Sequence, residues 1–494
     1  MIDKQARKWL IAIFVVTLAT RLTLAFLIPN FTYDSYFHLR QVEHITNTGL
    51  PLYEDPLSYG GRELVFLPFF HYFIALFDLF LPLELVAKII PNLLIAGLTI
   101  IVYLLGKKIT ADTPAALFSA LVAGFLPILF FTNALTVESL FFPLVFLAIY
   151  LFMNLPEKKY VYGYITVFLL LSLTSSATFL LLVGFGIYLL LSLVEGKKIN
   201  RAELELILFS TFFYLWIQLI FFKSVLLQEG IGFIWQNIPS AIIAEYFPAI
   251  SITQALVLVS IIPFVAGIWV VYRSLFQLKN TRAFLLISLV ISTTILTWLR
   301  LIQFEASLGF VSIILAILFA SFYQEALIFL AKTKIAHLHR RFSLALIILL
   351  LPTLVYPALA AAWQQEVPSE EEVIAFKTLQ VNTPPDARVL ALLKEGHLVT
   401  YYGQRKNLMD GQFALIPDIE ERFADSQLLY TTSFQTQAIG IMDKYNLRYL
   451  MITSQARKRF DITIFKYFDT DCFQRIYKNE TRVYKTTCTL TTLE

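Results

Sequence analysis

The chain has 494 residues, 58% of them apolar and 15% charged, with a mean hydropathy of +0.70. An ordinary soluble domain is about 45–50% apolar and about 25% charged, so a soluble enzyme, a disordered chain and a fibrous repeat are excluded. The composition describes a polytopic helical membrane protein, and a net charge of +4 with basic residues in short clusters argues against a nucleic-acid partner.

The N-terminus, MIDKQARKW, is basic. An apolar run from Leu10 to Pro29 follows, too long for the core of a signal peptide and without a clear cleavage site, and it reads as the first span. The next stretch, Asn30 to Glu63, is 34 residues of His, Asp, Glu, Tyr and Gly, which marks a functional loop more than a connector. The run 64–82 is long enough to cross, but Pro68, His71 and Asp78 interrupt it. It reads as an interfacial helix on the outer surface. Further apolar runs cover 84–105, 113–132, 139–154, 160–176, 178–194, 203–223, 251–272, 283–299, 307–331 and 342–363, which makes eleven spans.

The basic clusters test that count. With 64–82 left out of the membrane, Lys107-Lys108, Lys158-Lys159, Lys197-Lys198-Arg201, Arg273/Lys279/Arg282 and Lys332/Lys334/Arg340/Arg341 all fall inside. With 64–82 crossing, every one of them falls outside. Loops 30–83, 133–138, 223–250 and 300–306 then face outward, as does everything after Trp363.

The fold class expected is therefore mainly α: a polytopic membrane domain, 1–363, followed by a soluble mixed α/β domain, 364–494, outside the membrane. Short β-like runs appear there, at Arg448–Thr453 and Thr481–Thr487. Both cysteines, Cys472 and Cys488, flank a hairpin centred on Lys478-Asn479-Glu480. They form either a disulfide that closes the hairpin, in an oxidising compartment, or two free thiols. The expected location is the plasma membrane, multi-pass.

Charges deep in a bilayer are costly and mark function. Here the spans read as almost clean at mid-depth. The ionisable residues gather at the outer ends: Asp34, Arg40, Glu138, Lys223, Glu245, Arg300 and Glu305. An ion-coupled transporter would instead pair charges near the midplane. Each rim residue has a plain alternative. Asp34 and Glu245 are solvated carboxylates in that view, Glu138 caps a helix, and Arg300 snorkels to the interface rather than gripping a phosphate. His38 and His71 are hydrogen-bonded spacers or metal ligands. Asn30 and Asn479 stand in Asn-x-Thr triplets, which are common by chance.

Four segments taken together resemble the catalytic subunit of oligosaccharyltransferase, in the GT-C superfamily of polyprenyl-phosphate-dependent glycosyltransferases. TYDSYFHLRQVEHITNTGLPLYEDPLSYGG is similar to that family's first outer loop, and Asp34, Tyr36 and Arg40 fit its Asp-x-Tyr-x-x-x-Arg pattern. ALTVESLFF resembles the second-loop acidic motif, AEYFPAISITQ the Ser-x-Ser-Glu region, and ILTWLRLIQFEASLGF the segment with an arginine near the lipid phosphate. The sequence departs from the family twice. Thr136 stands where the second-loop motif has its first acid. Leu392-Leu393-Lys394-Glu395-Gly396 stands where the family has Trp-Trp-Asp-Tyr-Gly, which grips the acceptor hydroxyl.

The resemblance implies a donor sugar on a polyprenyl (dolichyl) phosphate or diphosphate, lodged in the lipid bilayer, and a protein or lipid-linked glycan as acceptor. It implies Asp34, Glu138, Glu245 and Arg300 as catalytic residues, and His38, Arg40 and Arg300 as substrate contacts. A divalent cation, Mn or Mg, would be held by Asp34, Glu138 and Glu245. Two alternatives remain: transfer of a single sugar to a lipid-linked glycan or other non-protein acceptor, and an inactive scaffold.

Overall fold

The computed structural model describes residues 4–234, 238–246, 251–277, 283–334 and 336–490, with the backbone alone at 245, 246 and 336. The N-terminal helices run α1 Lys4–Leu27, α2 Ser35–Thr48, α3 Phe69–Asp78, α4 Leu83–Thr110, α5 Thr113–Gly124, α6 Glu138–Phe152, α7 Lys158–Ser172 and α8 Phe179–Val194. They continue as α9 Arg201–Phe221, α10 Lys223–Glu229, α11 Ile243–Tyr246, α12 Ile252–Val259, α13 Ile261–Phe276, α14 Phe284–Trp298, α15 Phe304–Ala331, α16 His339–Leu350 and α17 Tyr356–Trp363.

Every one of the eleven apolar runs is helical, yet they differ in reach. Six helices are long and apolar enough to cross a bilayer: Lys4–Leu27, Leu83–Thr110, Ser176–Val194, Arg201–Phe221, Phe304–Ala331 and His339–Trp363. The run 251–272 is not one straight span. It breaks by 89° between α12 and α13, where Ser260 sits at φ 69 and gives its hydroxyl to the Thr353 carbonyl at 2.8 Å. A left-handed non-glycine residue cannot continue a helix. Helices α5 (12 residues), α6, α7 and α14 (15 each) are shorter. At 1.5 Å per residue they reach about 18–23 Å, below a ~30 Å hydrocarbon core. Their ends are set locally: Asp112 caps α5 through the Ala115 amide at 2.8 Å, and Pro127 follows it.

Helix α3 is ten residues long and does not cross. It packs with α2 against the start of α4, as the interfacial reading expects. Phe31, Tyr36, Leu39 and Val42 meet Phe70 and Ile74 of α3, Val86 and Ile90 of α4, and Leu135 and Leu140. The same core takes in Phe376, Leu379, Val389, Val399, Met451 and Val483 from the C-terminal part. The helices of the 30–83 stretch thus form a layer between the bundle and the C-terminal part, joined by an excursion with a short antiparallel pair, Glu54–Asp55 and Arg62–Glu63.

The C-terminal part opens with α18, Glu370–Asn382, where Ser369 and Glu372 form a reciprocal cap. It continues with α19 Gly396–Tyr401, α20 Ile419–Thr431, α21 Gln435–Lys444 and α22 Ser454–Phe460. Five strands, β1 Arg388–Leu390, β2 Lys406–Asn407, β3 Tyr449–Ile452, β4 Phe473–Lys478 and β5 Arg482–Thr486, form one mixed sheet in the order β2-β1-β3-β5-β4. The first three pair in parallel and the last pairings are antiparallel. Strands β4 and β5 are the hairpin read from the sequence, and Cys472 and Cys488 are joined by a disulfide across its open end.

Candidate functional site

The rim of the bundle that faces the C-terminal sheet is built from helix starts. Asp34 precedes α2 in the N-cap position, but its side chain makes no cap bond and stays exposed. Glu138 is the first residue of α6, and Glu305 lies in the first turn of α15. Each carboxylate therefore stands near the positive end of a helix dipole, where an anion is favoured. Glu138 lies within electrostatic reach of Asp34 and accepts a hydrogen bond from the Thr136 hydroxyl. Glu305 lies within reach of both Glu138 and Asp34, and of Lys394 and Glu366. Three far-apart stretches of chain thus bring three carboxylates to one place.

Backbone hydrogen bonds fix the first two. The Thr32 amide donates to the Asn133 carbonyl at 3.2 Å, and the Leu135 amide donates to the Ser35 hydroxyl at 2.9 Å. The turn before Asp34 and the loop before Glu138 are stitched together. Glu305 stood in the sequence-level rim without a role; its place beside the other two appears only in three dimensions.

The remaining expected residues are distributed differently. Arg300 lies in the turn between α14 and α15, at φ 57, exposed, five positions before Glu305. Its guanidinium forms no ion pair among the described residues and is free to meet an anion. Glu245 lies in α11, and its side chain falls outside the described residues. Arg40 points inward. Its two terminal nitrogens clamp Asp55 at 2.6 and 2.8 Å, and Asp55 also accepts the Leu57 amide at 2.8 Å. Such a bidentate fork is a strong, directional bond, and here it folds the 49–63 excursion. His38 Nδ1 meets His71 Nε2 at 2.9 Å, between the rings of Phe70 and Phe66. Burial, then nearby His397, lowers the His38 pKa to about 3. The pair of rings is held inside an aromatic pocket, an arrangement that suits the spacer reading.

Asp34 and Glu138 are two hard-oxygen donors, fewer than a divalent cation takes. Among the described residues no group of three or more His, Cys, Asp or Glu is placed to hold a metal. One member of the expected trio of Asp34, Glu138 and Glu245 has its side chain outside the described residues, and no step below runs through a cation.

The segment that departs from the family motif lies over this rim. Lys394, in a 3-10 turn Leu393–Glu395, pairs with Glu366 at 3.1 Å and reaches the field of Glu305. Glu395 turns the other way and is 1% exposed. It accepts the Thr453 hydroxyl at 2.5 Å and the Leu392 amide at 3.1 Å. Burial and neighbouring Glu372 push its pKa up to about 8, so it is largely protonated at neutral pH. Glu372 in turn accepts the Tyr33 hydroxyl at 3.3 Å, one residue from Asp34. At Gly396 a Cβ would run into the Met409 carbonyl and Asp410. That close approach leaves no room for a side chain at this position.

The spans are less clean than the hydropathy pattern suggests. Arg21 in α1 and Lys88 and Asn92 in α4 are buried, together with Asn133. Nothing in the local sequence marks them, because their partners on other segments lie 40 or more residues away.

This architecture, a helical bundle capped by a mixed α/β part, is a fold shared with solved structures of an archaeal oligosaccharyltransferase and of ArnT. The Archaeoglobus fulgidus oligosaccharyltransferase in its apo form matches with a TM-score of 0.69 at 15% identity, over 90% of this chain and 69% of that one. The same enzyme, AglB, in complex with an inhibitory peptide and a dolichol-phosphate matches with 0.70 at 15%, over 91% and 70%. ArnT from Cupriavidus metallidurans bound to undecaprenyl phosphate matches with 0.56 at 13%, over 95% of this chain and 97% of that one. In sequence, the chain matches no family model and no curated protein. The likeness is therefore one of fold, and it agrees with the resemblance carried by the rim motifs.

Proposed function

We propose that the chain is a multi-pass membrane glycosyltransferase that moves a glycan from a polyprenyl phosphate or diphosphate to an acceptor at this rim. The observation that carries the reading is the meeting of Asp34, Glu138 and Glu305 at one mouth; Arg300, exposed and without an ion pair among the described residues, lies five positions before Glu305. The polyprenyl-phosphate ligands of AglB and ArnT support the donor class. The C-terminal part then faces the extracytoplasmic side, as the basic loops require.

In the reaction, the acceptor's nucleophilic oxygen or nitrogen forms a bond to the anomeric carbon. The bond from that carbon to the carrier phosphate breaks, and the phosphate leaves with the electron pair. Asp34 takes the acceptor's proton or orients it, Glu138 bounds the same pocket, and Arg300 stabilises the charge that develops on the phosphate.

A second reading, transfer of one sugar to a lipid-linked glycan or other non-protein acceptor, has its own support. Leu392 and Leu393 stand in place of the indole pair of the sequon grip, and Lys394 in place of its carboxylate. The chain also spans nearly all of ArnT but about 70% of the oligosaccharyltransferase.

Purified protein in lipid nanodiscs, given a labelled polyprenyl-phosphate sugar, a sequon peptide and a lipid-linked glycan, separates the two. Label in the peptide supports protein glycosylation, and label confined to lipid supports the second reading. Asp34→Ala lowers transfer at least about a thousandfold in either case, as loss of a general base and its orientation together does. Unchanged turnover in that variant, or no transfer by the native protein with any donor, defeats the proposal.

A further inference from the structure

Two cations in the bundle are used neither by the hydropathy pattern nor by the chemistry proposed above. Lys88, 7% exposed, donates to the carbonyls of Ala25 at 2.9 Å, Ile28 at 2.8 Å and Pro29 at 3.0 Å. An ammonium has three donors, and all three are spent here. The acceptors lie at the end of α1, where a helix leaves its last carbonyls unpaired and its dipole favours a positive charge.

Asn133 reaches the same carbonyls from the other side. Its amide donates to Ala25 at 3.2 Å, Ile28 at 2.8 Å and Asn30 at 3.0 Å. Its own carbonyl takes the Thr32 amide, two residues before Asp34. One turn along α4 from Lys88, Asn92 accepts Arg21 Nε at 3.0 Å and donates to the Thr132 carbonyl at 2.8 Å. Arg21 Nη1 holds the Leu129 carbonyl at 2.7 Å. One face of α4 therefore pins both rim segments, the turn that carries Asp34 and the chain that leads to Glu138.

We infer that Lys88 is a positioning residue: with Asn133 it fixes the 28–34 turn and so aims the Asp34 carboxylate at the pocket it shares with Glu138. The inference rests on the reading of Asp34 as the group that meets the acceptor. A compact ammonium can serve three convergent carbonyls. A planar guanidinium spreads its donors along a fork and cannot replace it, and methionine fills the space with no donor at all.

The test uses full-length protein in nanodiscs, with a polyprenyl-phosphate-linked sugar as donor. Lys88→Met lowers kcat about a hundredfold, the cost of a misplacement on the order of 1 Å, while KM for the donor stays within about threefold. Lys88→Arg does not restore kcat. A merely structural role would reduce yield and leave kcat per folded molecule unchanged, which overturns the inference. Hydrogen exchange supplies a readout that needs no turnover. The Thr32 amide exchanges at least about tenfold faster in Lys88→Met, while α15 keeps its protection. Native exchange at Thr32 overturns the strut, and faster exchange with native kcat overturns its role in positioning. Where Lys88→Met does not accumulate, Asn133→Ala deletes bonds to the same carbonyls and carries the same expectations. If the native protein transfers nothing, the proposed function falls, and exchange at Thr32 alone decides the strut.

Discussion

The two sides of the rim are held in opposite ways. On one side, the turn before Asp34 and the chain before Glu138 are tied by buried bonds from Lys88, Asn92, Arg21 and Asn133. On the other, the stretch from α10 to α11 touches the C-terminal part through exposed bonds. Ser240 gives its amide and hydroxyl to Glu420 at 3.0 and 2.5 Å, and Glu229 accepts the Leu415 amide at 3.1 Å. On this second side, between that stretch and residues 413–421, opens a cleft of about 730 Å³, lined by Glu229, Phe233, Phe413 and Asp418 among others.

The contrast has a physical reading. A buried bond cannot be traded for water, so breaking it costs far more than breaking an exposed one. On the proposed function, Asp34 and Glu138 sit on the side that cannot shift cheaply, and the acceptor and carrier headgroup would enter and leave past the side that can.

Substitutions on the two sides test that contrast. After Asp34→Ala, the largest expected loss is in Glu138→Gln, on the rigid side. Transfer falls about ten- to a hundredfold, because the charge is gone while the shape stays. Steady-state rates on the purified variant check this, and a native rate removes Glu138 from the pocket chemistry.

The C-terminal anchor next to Tyr33 carries a pH signature. Glu395 has a folded pKa of about 8, raised above that of a free carboxylate. The folded state thus holds a proton that the unfolded chain has lost, and stability declines as pH rises from the free value through about 8. Glu395→Gln flattens that decline, by an amount on the order of a kcal/mol or more. Thermal unfolding at pH 5 to 9 measures it, and a slope equal to the native one refutes the assignment.

The smallest effect is expected on the exposed side. Glu420→Ala removes both bonds to Ser240, yet changes stability by less than about 1 kcal/mol. Its effect falls on KM for the acceptor more than on kcat. A loss of kcat as deep as that of Glu138→Gln would erase the distinction between the two sides.

Much of this was legible in the chain. The polar loop that carries Asp34, an interfacial helix within 64–82 and the hairpin between the cysteines are all read from local pattern. Other roles were not. Arg40 read as a substrate contact, but the fork on Asp55 is made across 15 residues of irregular chain. Glu305 and Lys394 lie 89 positions apart and reach one another only in the folded molecule.

Composition, the length of apolar runs and the placement of basic loops were enough for a helical membrane protein with an acidic rim, because burial of apolar surface is read residue by residue along each helix. Tertiary structure alone decided which charges are spent and which are free. Lys88 is saturated by three carbonyls at the end of the first helix and Arg21 is held by Asn92 and the Leu129 carbonyl, whereas Arg300 has no ion pair among the described residues. Hydrogen-bond partners of buried polar groups are supplied by distant segments, so no local pattern announces them.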